Sequence, residues 1–198
     1  MSRRMDRVSR REQIAEEALK LASQGVSAIT MENVARSCGV VSSALYRHYR
    51  NKDELFDGVL ALVRSKLLHG LDISAEKGKT PLDMLRMLSR RHAELLYQHP
   101  GILRLIFSDA VLESNSARRN GIIALMKEYR TVAASIALKG QETGQIRKDI
   151  RPEDVVFMLL GSIIPPSFLY HVSGGDFDPR EQVKRSYALF EESIRAAR

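Results

Sequence analysis

Cysteine, histidine and serine supply most protein reaction chemistry, and here they are too scattered to form a reaction centre. Cys38 is the only cysteine in 198 residues, so an internal disulfide is excluded and a reducing, cytoplasmic setting is expected. It falls in an apolar slot between Val34 and Val40, where packing outweighs redox chemistry. His92 and His99 stand seven residues apart, beyond the i, i+4 spacing with which helical histidines share a metal. They read as a partly exposed pair. No Cys/His cluster has zinc spacing. Gly161-Ser162 lacks the flanking glycines of a nucleophile elbow, and the glycines are too dispersed for a phosphate loop. His48 would need a nucleophile or carboxylate beside it to be catalytic. No catalytic residue, metal site or cofactor is expected.

A different chemistry is concentrated in residues 31–50, MENVARSCGVVSSALYRHYR. Two short helices crossing at a sharp turn need a small residue at the crossing, a turn-tolerant residue and apolar pins. Ala35, Gly39 and the set Val34, Val40 and Leu45 meet those needs. The second helix would then expose Ser42, Ser43, Ala44 and Arg47, short or cationic side chains that let a helix enter a major groove about 12 Å wide. Tyr46, His48, Tyr49, Arg50 and Lys52 follow, a mixture suited to phosphate oxygens. Charge placement agrees. The chain carries +7 overall, and residues 1–52 hold ten basic against five acidic side chains, a net +5. Such concentration at one end suits a polyanion, whose binding releases condensed counterions.

The elements that must position these residues read as helices throughout, about nine of them, an all-α chain without strand alternation. Ser9-Arg10-Arg11-Glu12 has the form of a capping box ahead of Ile14, Ala15, Ala18, Leu19 and Ala22. Thr30 caps a second helix, and a third covers Ser43–His48. Further helices begin near Lys52, at Thr80-Pro81-Leu82-Asp83, near Ser116, at Pro152 and at Asp178-Pro179, with a short segment at Ile102–Leu112 between them. Arg118-Arg119 reads as a solvated helix start. In the helix from Ser116, Ile122, Ile123, Met126, Tyr129, Ala133 and Ile136 share a helical spacing. The most lipid-like stretch, Val155–Ile164, is about half the ~20 residues of a membrane span, so no membrane association is expected. Pro165-Pro166 either ends that helix or kinks it, opening space beside Phe168, Tyr170 and His171.

Residues 30–56, TMENVARSCGVVSSALYRHYRNKDELF, closely resemble the DNA-binding signature of the TetR family of transcriptional regulators. The matching positions are Thr30, Val34-Ala35, Gly39-Val40, Leu45-Tyr46, Arg47-His48, Tyr49 and Lys52-Asp53-Glu54-Leu55. The resemblance implies phosphate contacts from Thr30, Tyr46, His48 and Lys52, and base-facing positions at Val41, Ser42, Ser43, Ala44 and Arg47. Two departures affect register. Val41 stands where the family commonly has a capping serine, so Ser42 could take over the cap, and Ser43 stands where glycine is frequent.

The resemblance further implies two domains: a three-helix helix-turn-helix domain at 1–52, and a helical ligand-binding and dimerisation domain at 53–198. Its expected partners are a palindromic double-stranded DNA operator, a second copy of the chain and a small-molecule effector that releases a repressor. The expected effector pocket comprises Leu62, Leu96, Tyr97, Phe107, Met126, Tyr129, Phe168 and His171, a lining suited to an apolar or aromatic ligand. Val183, Tyr187, Phe190 and Ile194 form an apolar stripe that, with Val155–Ile164, is either ordinary core or the dimer interface that the resemblance implies. Two other classes compete: an all-α enzyme, which lacks convergent catalytic groups, and a protein-binding helical adaptor, which leaves the basic terminus without a purpose.

Overall fold

A computed structural model of the chain describes residues 7–68, 79–108 and 117–197. Arg3, Arg4 and Asp6 of the basic terminus, Ser116 and the end of the segment expected at Ile102–Leu112 lie outside them. Nine α-helices occur among the described residues. They are α1 Arg7–Ala22, α2 Met31–Ser37, α3 Ser42–Tyr46, α4 Lys52–Leu68, α5 Pro81–Gln98, α6 Gly101–Ile106, α7 Ala117–Glu142, α8 Pro152–Val172 and α9 Pro179–Ile194. The all-α expectation holds. Among the described residues the sole β pairing is an isolated bridge between Ile146 and Arg195.

The chain divides into two compact units: one made of the chain up to Ser65 plus His99–Leu125, the other of Lys66–Gln98 plus Met126 onward. The division lies beyond residue 52 because α4 joins the first unit. Glu54 on α4 pairs with Arg11 on α1 at 3.1 Å. Tyr49 lies so close to Gly58 that a Cβ there would come within 2.3 Å of the phenol oxygen. Residues 99–125 join the same unit through α6, whose Gly101 leaves no room for a side chain against Ala22 and Leu19 of α1. His99, at the N-terminal end of α6, is buried with Nε2 3.4 Å from Glu16.

Helix α1 already covers Arg7 and Val8, so Ser9–Glu12 lies within the helix and does not open it as expected. Its predicted inner face is correct: Ile14, Ala15, Ala18, Leu19 and Ala22 are all buried. The cap at Thr80 also forms. Asp83 N donates to Thr80 Oγ1 at 3.2 Å, and Thr80 Oγ1 donates to the Asp83 carboxylate at 2.7 Å.

In the second unit α5, α8 and α9 pack on one another. Leu85, Leu88 and Leu96 of α5, Val155, Leu159 and Ile163 of α8, and Val183, Tyr187, Phe190 and Ile194 of α9 fill the shared interior. The Tyr187 hydroxyl donates to the Leu82 carbonyl at 3.2 Å, and Arg86 grips Glu191 at 2.7 Å. This corrects the expectation for Val183, Tyr187, Phe190 and Ile194. Their stripe is the inward face of α9, consumed by the chain's own core, so it cannot also be the surface on which two copies meet. His92 is fully enclosed, its Nδ1 3.1 Å from the Tyr129 hydroxyl. The partly exposed His92–His99 pair is therefore replaced by two buried histidines in different units.

Pro165-Pro166 neither ends α8 nor divides it; one helix continues to Val172. At 21 residues and mean hydropathy 1.7 it is long and apolar enough to cross a membrane by length and composition. The sequence expectation of a half-length stretch is thus corrected. Cys38 is half-buried, and burial pushes its thiol pKa up, holding it as the unreactive thiol. On α7, Ile122, Tyr129, Ala133 and Ile136 are buried, whereas Ile123 and Met126 face outward.

Candidate nucleic-acid interface

The reading head is assembled from the turn outward. Thr30 is extended and its hydroxyl oxygen accepts from Asn33 N at 3.1 Å, which starts α2. The Asn33 side chain then donates to the Ala28 carbonyl at 3.0 Å, fastening α2 to the preceding turn. After Ser37 the chain reverses through Gly39, whose φ of +66 is the left-handed conformation that glycine adopts without strain. Val40 N donates to the Ala35 carbonyl at 3.0 Å, closing the turn. Val34, Ala35 and Leu45 are buried at the crossing of α2 and α3, and Val40 is half-buried at its edge.

Helix α3 is five residues long, Ser42–Tyr46, too short to persist alone. What holds it is its C-terminal continuation. Leu45 is fully buried, and the carbonyl of Leu45 accepts from both His48 N and Tyr49 N at 2.9 and 3.1 Å. Tyr49, 1% exposed, inserts between α1 and α4. Its hydroxyl donates to the Arg11 carbonyl at 3.0 Å, and the Arg11 guanidinium sits 4.1 Å from its ring centroid. The Arg11 guanidinium also donates to the His48 carbonyl. Tyr49 is therefore a structural peg, which corrects its grouping with phosphate-facing residues.

With Leu45 and Tyr49 turned inward, the opposite face of α3 is presented to solvent. Val41 is 69% exposed, Tyr46 is 50% exposed, and Ser43 and Arg47 are exposed; Ser42 and Ala44 are half-buried. Val41 occupies the N-cap position without a side-chain cap, and Ser42 is the first helical residue. Ser42 does not replace the missing capping serine, so the helix keeps the start that the valine marks.

The remaining expected phosphate residues flank this face. Thr30 and His48 are half-buried, and Arg50 is exposed. Lys52 opens α4 and is half-buried, with burial and the nearby Arg118 charge lowering its ammonium pKa below the ordinary lysine value. Asn51 Oδ1 caps α4 by accepting from Glu54 N at 2.8 Å, while Glu54 reaches back to Arg50 N at 2.7 Å. Arg118 does not behave as a solvated helix start, because it pairs with Asp53 at 2.6 Å. Sequence spacing held no signal for that contact, which joins residues 65 positions apart.

The eight residues of the expected effector lining are shared between the two units. Leu62 and Phe107 belong to the first unit; Leu96, Tyr97, Met126, Tyr129, Phe168 and His171 belong to the second. Leu62 lines a groove of about 400 Å³ with Val8, Arg11, Tyr49 and Gly58. Phe107, Met126 and Phe168 have exposed side chains, whereas Leu96 and Tyr129 are buried. Tyr97 stacks near Tyr170 at 5.6 Å, and the His171 ring lies 3.3 Å from the Leu96 carbonyl. The rings of Tyr97, His171 and Phe177 lie beside Tyr170, with centroids 5.6, 5.1 and 6.1 Å away. One open groove of about 860 Å³ in the second unit, lined by Arg86, Ser89, Arg90, Arg180 and Tyr187, includes none of the eight residues.

Comparison with known proteins matches this geometry. Residues 14–59 fit the profile of bacterial regulatory proteins of the tetR family. The nucleoid occlusion factor SlmA of Vibrio vulnificus is 22% identical over 189 residues, covering 94% of this chain and 96% of that protein. The Vibrio cholerae SlmA match is 25% identical over 127 residues, 63% of this chain and 65% of that one. Among solved structures, the ketosteroid transcriptional regulator KstR2 of Mycobacterium tuberculosis superposes with a TM-score of 0.73 at 21% identity, covering 96% of each chain. The regulator FadR of Bacillus subtilis, solved with stearoyl-CoA, gives 0.74 at 18% identity over 92% of this chain and 98% of that one. Residues 14–59 thus match the tetR-family regulatory domain, and along nearly its whole length the chain shares the fold of the solved transcriptional regulators.

Proposed function

We propose that the protein is a dimeric transcriptional repressor that reads a palindromic operator and is released by a small apolar effector. The observation that carries the reading is the inward turn of Leu45 and Tyr49, which leaves Val41, Ser43, Tyr46 and Arg47 on one free face. In this reading Val41, Ser42, Ser43, Ala44 and Arg47 address base edges, while Thr30, Tyr46, His48 and Lys52 hold phosphates.

A pair of such heads suits a palindrome with half-sites about 34–36 Å apart, which requires two copies. The surface for that contact is the outer face of α8 with α9. Phe157, Phe168, Leu169, Val172 and Leu189 are between 46% and 70% exposed, and Gly161 has no atom within 4 Å of a Cβ position. An apolar face of this kind on a soluble monomer marks a partner surface, and a two-fold axis lets one patch serve both copies. It also accounts for the membrane-like composition of α8. The effector reading rests on the family and on neighbours named for ketosteroid regulation and stearoyl-CoA binding. Such a ligand can shift the protein only by its difference in affinity for the two states.

Selection of bound duplexes from random sequence, repeated with ketosteroids and long-chain acyl-CoA, tests all three points. The expected product is an inverted repeat whose enrichment falls with one of those ligands. Variants separate the contacts. Lys52→Ala should weaken every sequence alike and lower the salt slope by about one unit, whereas Ser43→Ala should change which sequence wins. Sequence-selective loss at Lys52 would reverse the assignment. Chromosomal sites unrelated to promoters would instead favour nucleoid occlusion, the role named for the Vibrio relatives.

A further inference from the structure

The first turn of α4 presents a conflict that the structure resolves from elsewhere in the chain. Asp53 and Glu54 suit the positive end of the helix dipole. They also flank Lys52, where a negative charge opposes a phosphate at the distances over which Coulomb forces act. Glu54 is occupied by Arg50 N and by Arg11. Asp53 is answered by Arg118 near the start of α7: its Nε and Nη2 both donate to Asp53 Oδ1, at 2.9 and 2.6 Å. The Arg118 side chain is 23% exposed against 65% for Asp53. Its guanidinium carbon lies 5.6 Å from the Phe56 ring centroid, which orients it toward α4. All these residues lie in the first unit.

We infer that Arg118 is a positioning residue for DNA-backbone binding: by neutralising Asp53 it lets Lys52 face a phosphate without an opposing charge. The inference rests on the DNA-binding reading above. Both first-turn acids are then countered by arginines from other helices, Arg11 on α1 and Arg118 on α7. Lys52 remains the net charge of that turn. The start of α7 thereby sets the electrostatics of the reading head without touching DNA.

The test uses the full chain and a labelled random-sequence duplex, with anisotropy titrations across a range of salt. Arg118→Gln uncovers one negative charge, so affinity should fall about fivefold near 0.15 M salt and the log–log salt slope should shrink by about 0.9. Asp53→Asn alone should bind as well as the parent or better. The double variant should return to within about twofold of Asp53→Asn, and Arg118→Lys should retain most of the parent affinity. Two results overturn the inference: an unchanged affinity in Arg118→Gln, or a loss that persists undiminished when Asp53 is already Asn. The second would make Arg118 itself a phosphate ligand or a fold determinant. Should Arg118→Gln fail to fold, Asp53→Asn decides alone, because weaker binding there contradicts the repulsion. A parent protein that binds no duplex refutes the DNA-binding reading itself. Tight parent binding indifferent to Arg118 removes only the present inference.

Discussion

Gly58→Ala is the substitution that most directly tests how α3 is held. In an unobstructed helix interior, exchanging glycine for alanine stabilises by about 1 kcal/mol. Position 58 is obstructed. The added Cβ would lie 2.3 Å from the Tyr49 hydroxyl oxygen and 2.6 and 2.7 Å from two ring carbons. The ring cannot yield easily, because it is 1% exposed, overlaid by Arg11 and bonded to the Arg11 carbonyl. Expelling it sacrifices roughly 2–3 kcal/mol of apolar burial and about 1 kcal/mol for the hydrogen bond. After the helix-propensity gain, a net destabilisation of about 2–3 kcal/mol is expected. Urea melts followed by circular dichroism measure it, with anisotropy on a selected operator recording the accompanying loss of DNA affinity. In a Tyr49→Ala background the obstruction is gone, so Gly58→Ala should there stabilise by about 1 kcal/mol. If Gly58→Ala stabilises the parent chain, Tyr49 is not the peg that seats α3 and the assembly described above is wrong.

Two further outcomes concern the second unit. Phe168→Glu and Leu189→Glu place charge on faces that the chain itself leaves exposed, so both should stay folded and sediment as monomers at micromolar concentration. Val183→Glu puts a charge into the core and should unfold the chain; dimers that survive the first two changes would move the interface elsewhere. His92 has its pKa lowered to about 4 by burial. The unfolded chain therefore takes up a proton near pH 6.5 that the folded chain refuses until about pH 4, and folding stability should decline as pH falls across that window. The decline is on the order of 1–3 kcal/mol. His92→Gln should flatten it in urea melts at stepped pH, and an unaltered slope would assign the effect to other groups.

The local signals in the chain and the observed structure agree where a helix end is decided by neighbours in sequence. Thr30, Gly39, Thr80, Pro152 and Asp178 act at the positions where their side chains or backbone preferences place them, because a cap or a left-handed turn involves only three or four residues. The helix-turn-helix was readable for the same reason: its crossing, turn and exposed face fall within about twenty consecutive residues. Ser9 shows the limit, since its capping pattern lies inside a helix that begins earlier.

Which side of a helix is used for what could not be read in the same way. The apolar stripe of α9 was visible, but period alone cannot separate a face that meets α5 and α8 from one that meets a second copy, because both remove the same surface from water. Exposed Phe157, Phe168 and Leu189 acquire meaning only once the chain's own core has claimed Val183, Tyr187 and Phe190. By sequence Tyr49 is a polar neighbour of DNA and Arg118 is solvated; Gly58 beneath the Tyr49 ring and Asp53 opposite Arg118 decide otherwise. Helix type and turn position are short-range matters of backbone and capping energy. Partners such as Arg118 for Asp53, or Tyr187 for Leu82, lie 65 and 105 residues apart, and they exist only because packing of the whole chain brings those helices together.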